Sequence, residues 1–207
     1  MSPVVHLLLA LVLALPLPAV AAARDYAIDP VHSRVLFSVD HLGYAQALGT
    51  FSAPRGWLRF DPDDWRAARV EVTIDLATLD LGDTDWNRRL ARRDFFDIER
   101  HPQARFVSER IEPIDRRRAR VIGQLELRGQ RREVVLDVRF NKAGRHPLTL
   151  RRSVGFSATA RLSRAAFGMR AWKSMVGDEV ELRIEVEARR RRAGKSQPDD
   201  RAGGSER

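Results

Sequence analysis

The polar residues able to do chemistry gather near the start of the chain. His32, Ser33, Ser38, Asp40 and His41 fall within ten positions. A serine nucleophile with a histidine base and an orienting carboxylate needs these residue types. No G-x-S-x-G elbow accompanies them, however, and no Gly-rich phosphate loop occurs. His32 and His41 are also the nearest pair of metal-type ligands. They stand nine positions apart, and on one continuous strand an odd separation puts them on opposite faces. With His101 and His146 remote and no H-x-H or H-E-x-x-H spacing, no metal site is expected. Asp61, Asp63 and Asp64 read as turn carboxylates rather than an acid–base pair. The chain has no cysteine, which excludes thiol chemistry and disulfides. The expectation is therefore no catalytic residue and no cofactor.

The elements around these residues are dominated by period-two patterning, the mark of half-buried strands. Val35, Phe37 and Val39 alternate with Arg34, Leu36, Ser38 and Asp40. Val70, Val72 and Ile74 do the same, as do Val134, Leu136, Val138 and Phe140. Val154 to Leu162 continues the pattern, and Val180, Leu182, Ile184 and Val186 alternate with Glu and Arg. Shorter candidates lie at 26–28, 50–60 and 105–111. Asp83 or Thr84 can cap a helix running to Arg93, with Trp86 and Leu90 at i, i+4. Residues 163–175 read as a turn with at most one short helix. Strands with one apolar and one polar face belong to antiparallel sheet. About eight of them must close into a barrel or stack as a sandwich. Closure also removes free edges and leaves room for one ligand. The expected fold is thus all-β, a single antiparallel barrel of about eight strands with one or two short helices. Gly49, Gly56 and Gly123 are candidate bend positions in its wall.

Four blocks carry more than periodicity. The first is Asp29-Pro30-Val31-His32-Ser33 through His41-Leu42-Gly43 to Gly49-Thr50-Phe51. The second is Phe95-Phe96-Asp97 with His101-Pro102 and Phe106-Val107-Ser108, and the third runs from Gly155-Phe156-Ser157-Ala158 to Phe167-Gly168-Met169. Val176-Gly177-Asp178-Glu179-Val180 is the fourth. In this order, over Tyr26 to Ala188, they resemble the YceI-like family. That resemblance implies a lipocalin-like barrel, periplasmic in Gram-negative bacteria, that binds polyisoprenoid or other long-chain amphiphiles. Two positions depart from the family pattern. Leu127-Arg128-Gly129-Gln130-Arg131-Arg132-Glu133-Val134 lacks the usual proline, which should alter one hairpin on the outside. Ala166 stands where an Asp often precedes Phe-Gly-Met, which removes a polar group near the mouth.

Within the matched blocks, the candidates to line a ligand chamber are Phe37, Val39, Phe51, Phe95 and Phe96. Phe106, Phe156, Phe167, Met169 and Trp172 complete the set. Each is equally compatible with plain core packing. His41 is the candidate headgroup contact, and hydrogen bonding that fixes its hairpin is the alternative.

Compartment and charge narrow the function. Leu7 to Leu15 form an apolar run, followed by Pro16, Pro18 and small residues with an A-x-A pattern at Ala21–Ala23. This is the layout of a secretory signal peptide over 1–23, although only His6 precedes the run where a Lys or Arg is usual. Residues 24–188 would then form the barrel domain and 189–207 a disordered basic tail. The net charge is +9, yet only three of the 37 basic residues are Lys, and the Arg residues alternate with acids along the chain. An exported chain with this scatter is not expected to bind nucleic acid. Weak attraction to an anionic membrane surface fits better, and a homodimer is left open. The expected function is a periplasmic carrier of a long-chain isoprenoid or other amphiphilic lipid. The rival classes are an envelope enzyme acting on a bound lipid headgroup and a module that binds a membrane surface or a partner.

Overall fold

In a computed structural model, residues 23–191 are described. The expected signal peptide and all but the first residues of the expected tail lie outside that range. Eleven strands occur among the described residues: β1 (Arg24–Ile28), β2 (Arg34–His41), β3 (Ala45–Ser52), β4 (Arg55–Phe60), β5 (Arg69–Asp75) and β6 (Leu79–Asp80). β7 (Gln103–Pro113), β8 (Arg118–Leu127), β9 (Gln130–Arg145), β10 (Arg152–Ser163) and β11 (Val176–Arg190) follow. All paired neighbours are antiparallel, and β1 pairs with both β4 and β11, so the sheet closes on itself.

The register shows why eleven segments make an eight-stranded barrel. β11 pairs first with β2 and further along with β1, so β1 and β2 are one strand interrupted. β3 and β4 likewise pair in succession with β2 and β1, and β5 and β6 pair in succession with β4 and β3. The interruptions have local causes. Pro30 has no N–H to give a ladder, Ala53 takes a left-handed φ of 52° before Pro54, and residues 76–78 coil into a single 3₁₀ turn capped by Asp75. The candidate strand at 50–60 is therefore two strands meeting at a corner.

Hydroxyls restore the hydrogen bonds that the breaks remove. The Ser33 hydroxyl donates to the Glu187 carbonyl and accepts from the Glu187 amide. Thr78 does the same for Ser52, donating to its carbonyl and accepting from its amide at 3.1 Å each. Ser108, beside the β7 bulge, accepts from the Val70 amide. Each unpaired buried amide would otherwise cost about 1–3 kcal/mol.

The glycines are spacers as much as bends. Gly49 sits opposite Phe37 across the β2–β3 pair, and a Cβ there would lie 2.3 Å from the tip of the Phe37 ring. At Gly123, facing the bulge, a Cβ would meet the Val107 carbonyl at the same distance.

Helix α1 (Thr84–Ala91) is capped by Asp83, whose carboxylate accepts from the Trp86 amide. It stops two residues short of Arg93, as the amides of Phe96 and Ile98 turn back onto the Leu90 and Ala91 carbonyls. The expected turn at 163–175 holds one 3₁₀ turn over 165–167. At the other end β11 continues through Arg189 and Arg190, which the sequence pattern had placed in the tail, and Arg191 still donates its amide to Asp25.

The β1–β2 corner is fastened by Asp29, whose side chain is 2% exposed. Its carboxylate accepts from the Val31 amide and His32, and pairs with Arg189 on β11. Burial pushes its pKa up, but the bonds from His32 and Val31 and the Arg189 charge together outweigh this and hold it below the ordinary value. A depressed folded-state pKa contributes stability that is present above the ordinary aspartate value and lost as pH falls through the folded one. Asp29→Asn should therefore lower unfolding free energy by about 2–3 kcal/mol at neutral pH and flatten the acid limb of the stability–pH curve. Urea unfolding across pH measures both, and an unchanged acid limb would refute the assignment.

Candidate functional site: a two-chambered apolar interior

The inward faces of the strands do not fill the barrel. An upper cavity of about 370 Å³ opens at one end, and a lower one of about 180 Å³ continues towards the other. Val35, Ile74, Ala104, Leu125 and Leu182 line both, forming a waist where the two chambers abut. The upper volume lies within the roughly 300–1,000 Å³ of small-molecule pockets. Its wall is apolar except at the mouth, where His41, Asp85, Arg89 and Arg164 join it.

Most sequence candidates sit on the upper wall: Phe37, Val39, Phe51, Phe95, Phe96, Phe167, Met169 and Trp172. Phe51 and Phe96 meet edge-to-face with centroids 5.4 Å apart, and Phe37 stacks against both. Phe106 and Phe156 line the lower chamber instead. There Phe60 gathers Trp65, Phe140 and Phe156 around it. Trp65 closes that end, its indole N–H donating to the Arg116 carbonyl at 3.2 Å.

His41 and His32 are separated by the length of β2. His41 is on the mouth wall, with its ring 5.7 Å from that of Trp86. His32 belongs to the Asp29 corner, where ligand atoms of Asp29, His32 and Glu187 come within 4.8 Å of one another. Glu187 lies far from the other two in sequence, so spacing does not mark this trio. Its Asp29 oxygens are already occupied by Arg189, His32 and Val31, which makes the cluster a fastening of the corner. Asp85, beside His41 at the mouth, is engaged by Arg88 at 2.7 Å. Among the described residues no hydrogen bond joins His41 to a carboxylate, and Asp61 and Asp64 cap turns as expected.

Two features of the mouth, Arg128 and Arg164, have no signal in the sequence, and for a third, α1, the sequence shows the helix and its Trp86–Leu90 face but not their place in the wall. α1 contributes Trp86, Arg89 and Leu90 to the wall, and the Arg89 guanidinium lies 4.9 Å over the Trp172 ring. Arg128 takes a left-handed φ in the β8–β9 turn and reaches across to the carbonyls of Gly168 and Arg93. Residues 130–133 of this hairpin are exposed, as expected of an outside feature, while Arg128 in its turn helps to frame the mouth. Arg164 is 6% exposed and donates to four backbone carbonyls, those of Met169, Ala171, Val176 and Gly177, at 2.7–2.9 Å. Burial pushes its pKa down, and Asp178 partly offsets this. Asp178 is itself held by Ser163 and the Ala165 amide, in the vicinity of the position where Ala166 replaces the family aspartate.

A closed antiparallel barrel with an end-opening apolar interior defines the class: a lipocalin-like barrel. The chain belongs to the YceI-like family, whose domain matches residues 26–188. A UPF0312 protein of Vibrio cholerae is 32% identical over 171 residues, covering 82% of this chain and 90% of the relative. A UPF0312 protein of Pseudomonas syringae pv. tomato is 33% identical over 152 residues, covering 72% and 79%. Among solved structures, BcnA of Burkholderia cenocepacia superposes with a TM-score of 0.70 at 29% identity, over 77% of this chain and 98% of that one. A polyisoprenoid binding domain from Saccharophagus degradans shares the fold, with a TM-score of 0.60 at 14% identity over 80% and 98%.

Arg164→Lys keeps the charge but cannot reach four carbonyls in a planar fork. It should lower unfolding free energy by about 2–4 kcal/mol and raise amide exchange over residues 169–177. Calorimetry and hydrogen exchange read these; wild-type protection of that segment would contradict the role.

Proposed function

We propose that the protein is a carrier that holds the tail of a long-chain isoprenoid or similar amphiphile within the barrel, its headgroup at the mouth beside His41. The observation that carries this reading is the pair of abutting apolar chambers, the upper one polar only at its mouth and the lower one lined by apolar residues apart from Arg59 and Arg69. Such a space rewards a ligand that is long, apolar and polar at one tip. Each buried methylene contributes about 0.8 kcal/mol, while association costs on the order of 4–15 kcal/mol. A short apolar ligand is consumed by that cost, and a prenyl or acyl tail spanning the waist is not. The shared fold of the Saccharophagus degradans domain supports the same ligand class. The apolar run and A-x-A pattern of the first 23 residues support export to the periplasm. The lipid is the only non-protein component this role calls for.

Purified protein extracted with organic solvent should release a long-chain lipid detectable by mass spectrometry. Protein that is repeatedly empty, and that takes up neither a prenyl nor an acyl probe, would end the proposal. Ala104→Leu places bulk at the waist, where Ala104 is 7% exposed. It should weaken a long prenyl probe by about tenfold or more, the loss of roughly two buried methylenes, and leave a short probe unaffected. Equal losses for both lengths would argue against a tail threading the waist.

A further inference from the structure

We propose that the mouth rim docks on an anionic lipid bilayer, so that a ligand passes between membrane and barrel without crossing water. This rests on the carrier reading, because a rim that seats on lipid matters only if the cargo is lipid. The rim is built by the β2–β3 turn, α1 and the β10–β11 connection. They are contiguous: the Leu42 amide donates to the Met175 carbonyl at 2.8 Å, His41 meets Trp86, and Arg89 covers Trp172.

This rim exposes large apolar side chains that have every reason to be buried. Tyr44 is 91% exposed, Leu42 47%, Trp86 45% and Trp172 43%. Trp and Tyr are the residues that settle at a membrane interface, with an apolar body and a polar tip. Around them stand exposed cations: Arg92 and Arg93 after α1, and Arg170 and Lys173 in the β10–β11 connection, while Arg88 on α1 is paired with Asp85. Most acids of the same rim are held in local bonds. Asp83 caps α1, Asp85 pairs with Arg88, Asp80 holds the Gly82 amide and Asn87, and Asp40 holds the Gly43 amide. Asp80, Asp83, Asp85 and Asp94 are nonetheless exposed, so the basic character of the rim lies in the two clusters Arg92–Arg93 and Arg170–Lys173. Aromatic anchors within a basic ring match the chemistry of anionic lipid headgroups over acyl chains.

The far end of the barrel is the informative rival. It too is basic, with Arg116, Arg117 and Arg118, and it exposes Ile114, Leu148 and Leu150. Among the described residues it presents no exposed aromatic anchor: Trp65 there is buried, its indole N–H held by the Arg116 carbonyl.

The test is sedimentation with vesicles of phosphatidylglycerol and phosphatidylethanolamine, against vesicles of phosphatidylcholine alone. Wild-type protein should bind the anionic vesicles at least about tenfold better, and the binding should weaken as salt rises. Arg92→Glu with Arg93→Glu, and separately Leu42→Asn with Tyr44→Ser, should each reduce binding about tenfold or more; Asn suits the left-handed φ of Leu42. Neither pair lines the cavity, so both variants should take up a fluorescent prenyl probe from detergent as wild type does but extract it from vesicles more slowly. Arg116→Glu with Arg117→Glu should change none of these. Equal binding to phosphatidylcholine, no vesicle binding at all, or loss with the Arg116/Arg117 pair alone would overturn the docking proposal. Vesicle binding without probe uptake by wild type would instead remove the carrier reading while leaving the surface intact. Wild type that adheres to neither vesicle but is retained by another envelope protein would assign the rim to a protein partner and overturn it as well.

Discussion

Everything in this molecule depends on a closure made by three residue pairs. Tyr26, Ala27 and Ile28 face Arg190, Arg189 and Ala188, and only there does the sheet complete its circle. A wall that encloses space has to be continuous, because an open edge beside an apolar interior would admit water or pair with another chain. The seam is short, and side chains supplement its ladder. Asp29 ties the corner to Arg189, the Asp29 amide donates to the Glu187 carbonyl, and the Ser33 hydroxyl accepts from the Glu187 amide and adds a second bond to that carbonyl. His32 and Ser33, from the block of sequence most suggestive of catalysis, are thus occupied in closing a barrel.

An interior left unfilled has an energetic consequence. Cores normally reach crystal-like density, and lining atoms beside a void lose dispersion partners. This protein accepts that loss in two chambers and compensates at their ends. Aromatic rings crowd around Phe60 at the closed end. At the open end, two guanidinium groups satisfy carbonyls of irregular backbone that no strand can reach. Arg164 holds the 169–177 segment, and Arg128 ties the β8–β9 turn to both that region and the segment after α1. The rigid parts of the site are therefore at its ends, and the space between is apolar and permissive.

Strand content and closure were legible because alternation is a direct imprint of a wall with two environments. Val35, Phe37, Val180 and Leu182 announce their faces without any tertiary knowledge. The aromatic lining was legible through the family blocks, although only the folded register divides Phe106 and Phe156 from the upper group. The corner at Ala53–Pro54 was hidden inside an apparently continuous run, since the Thr78 hydroxyl that takes up the Ser52 hydrogen bonds there is distant in sequence. Arg128 and Arg164 were illegible for a simpler reason. In a chain with this many arginines, nothing local distinguishes the two whose partners are backbone carbonyls from those that face solvent. The same Arg-rich composition made residues 189 and 190 look like tail when they belong to the strand that completes the barrel.

The three strand breaks lie side by side, at 29–33, 53–54 and 76–78, and they flank the waist. Each break resets the hydrogen-bond ladder, so an insertion or deletion on one side of it does not propagate a register shift to the other. The barrel is in this sense two short cylinders joined end to end on part of their circumference. The depth of the lower cylinder can change without disturbing the geometry of the entrance. Editing one half of the wall can thus lengthen or shorten the interior while the mouth stays constant.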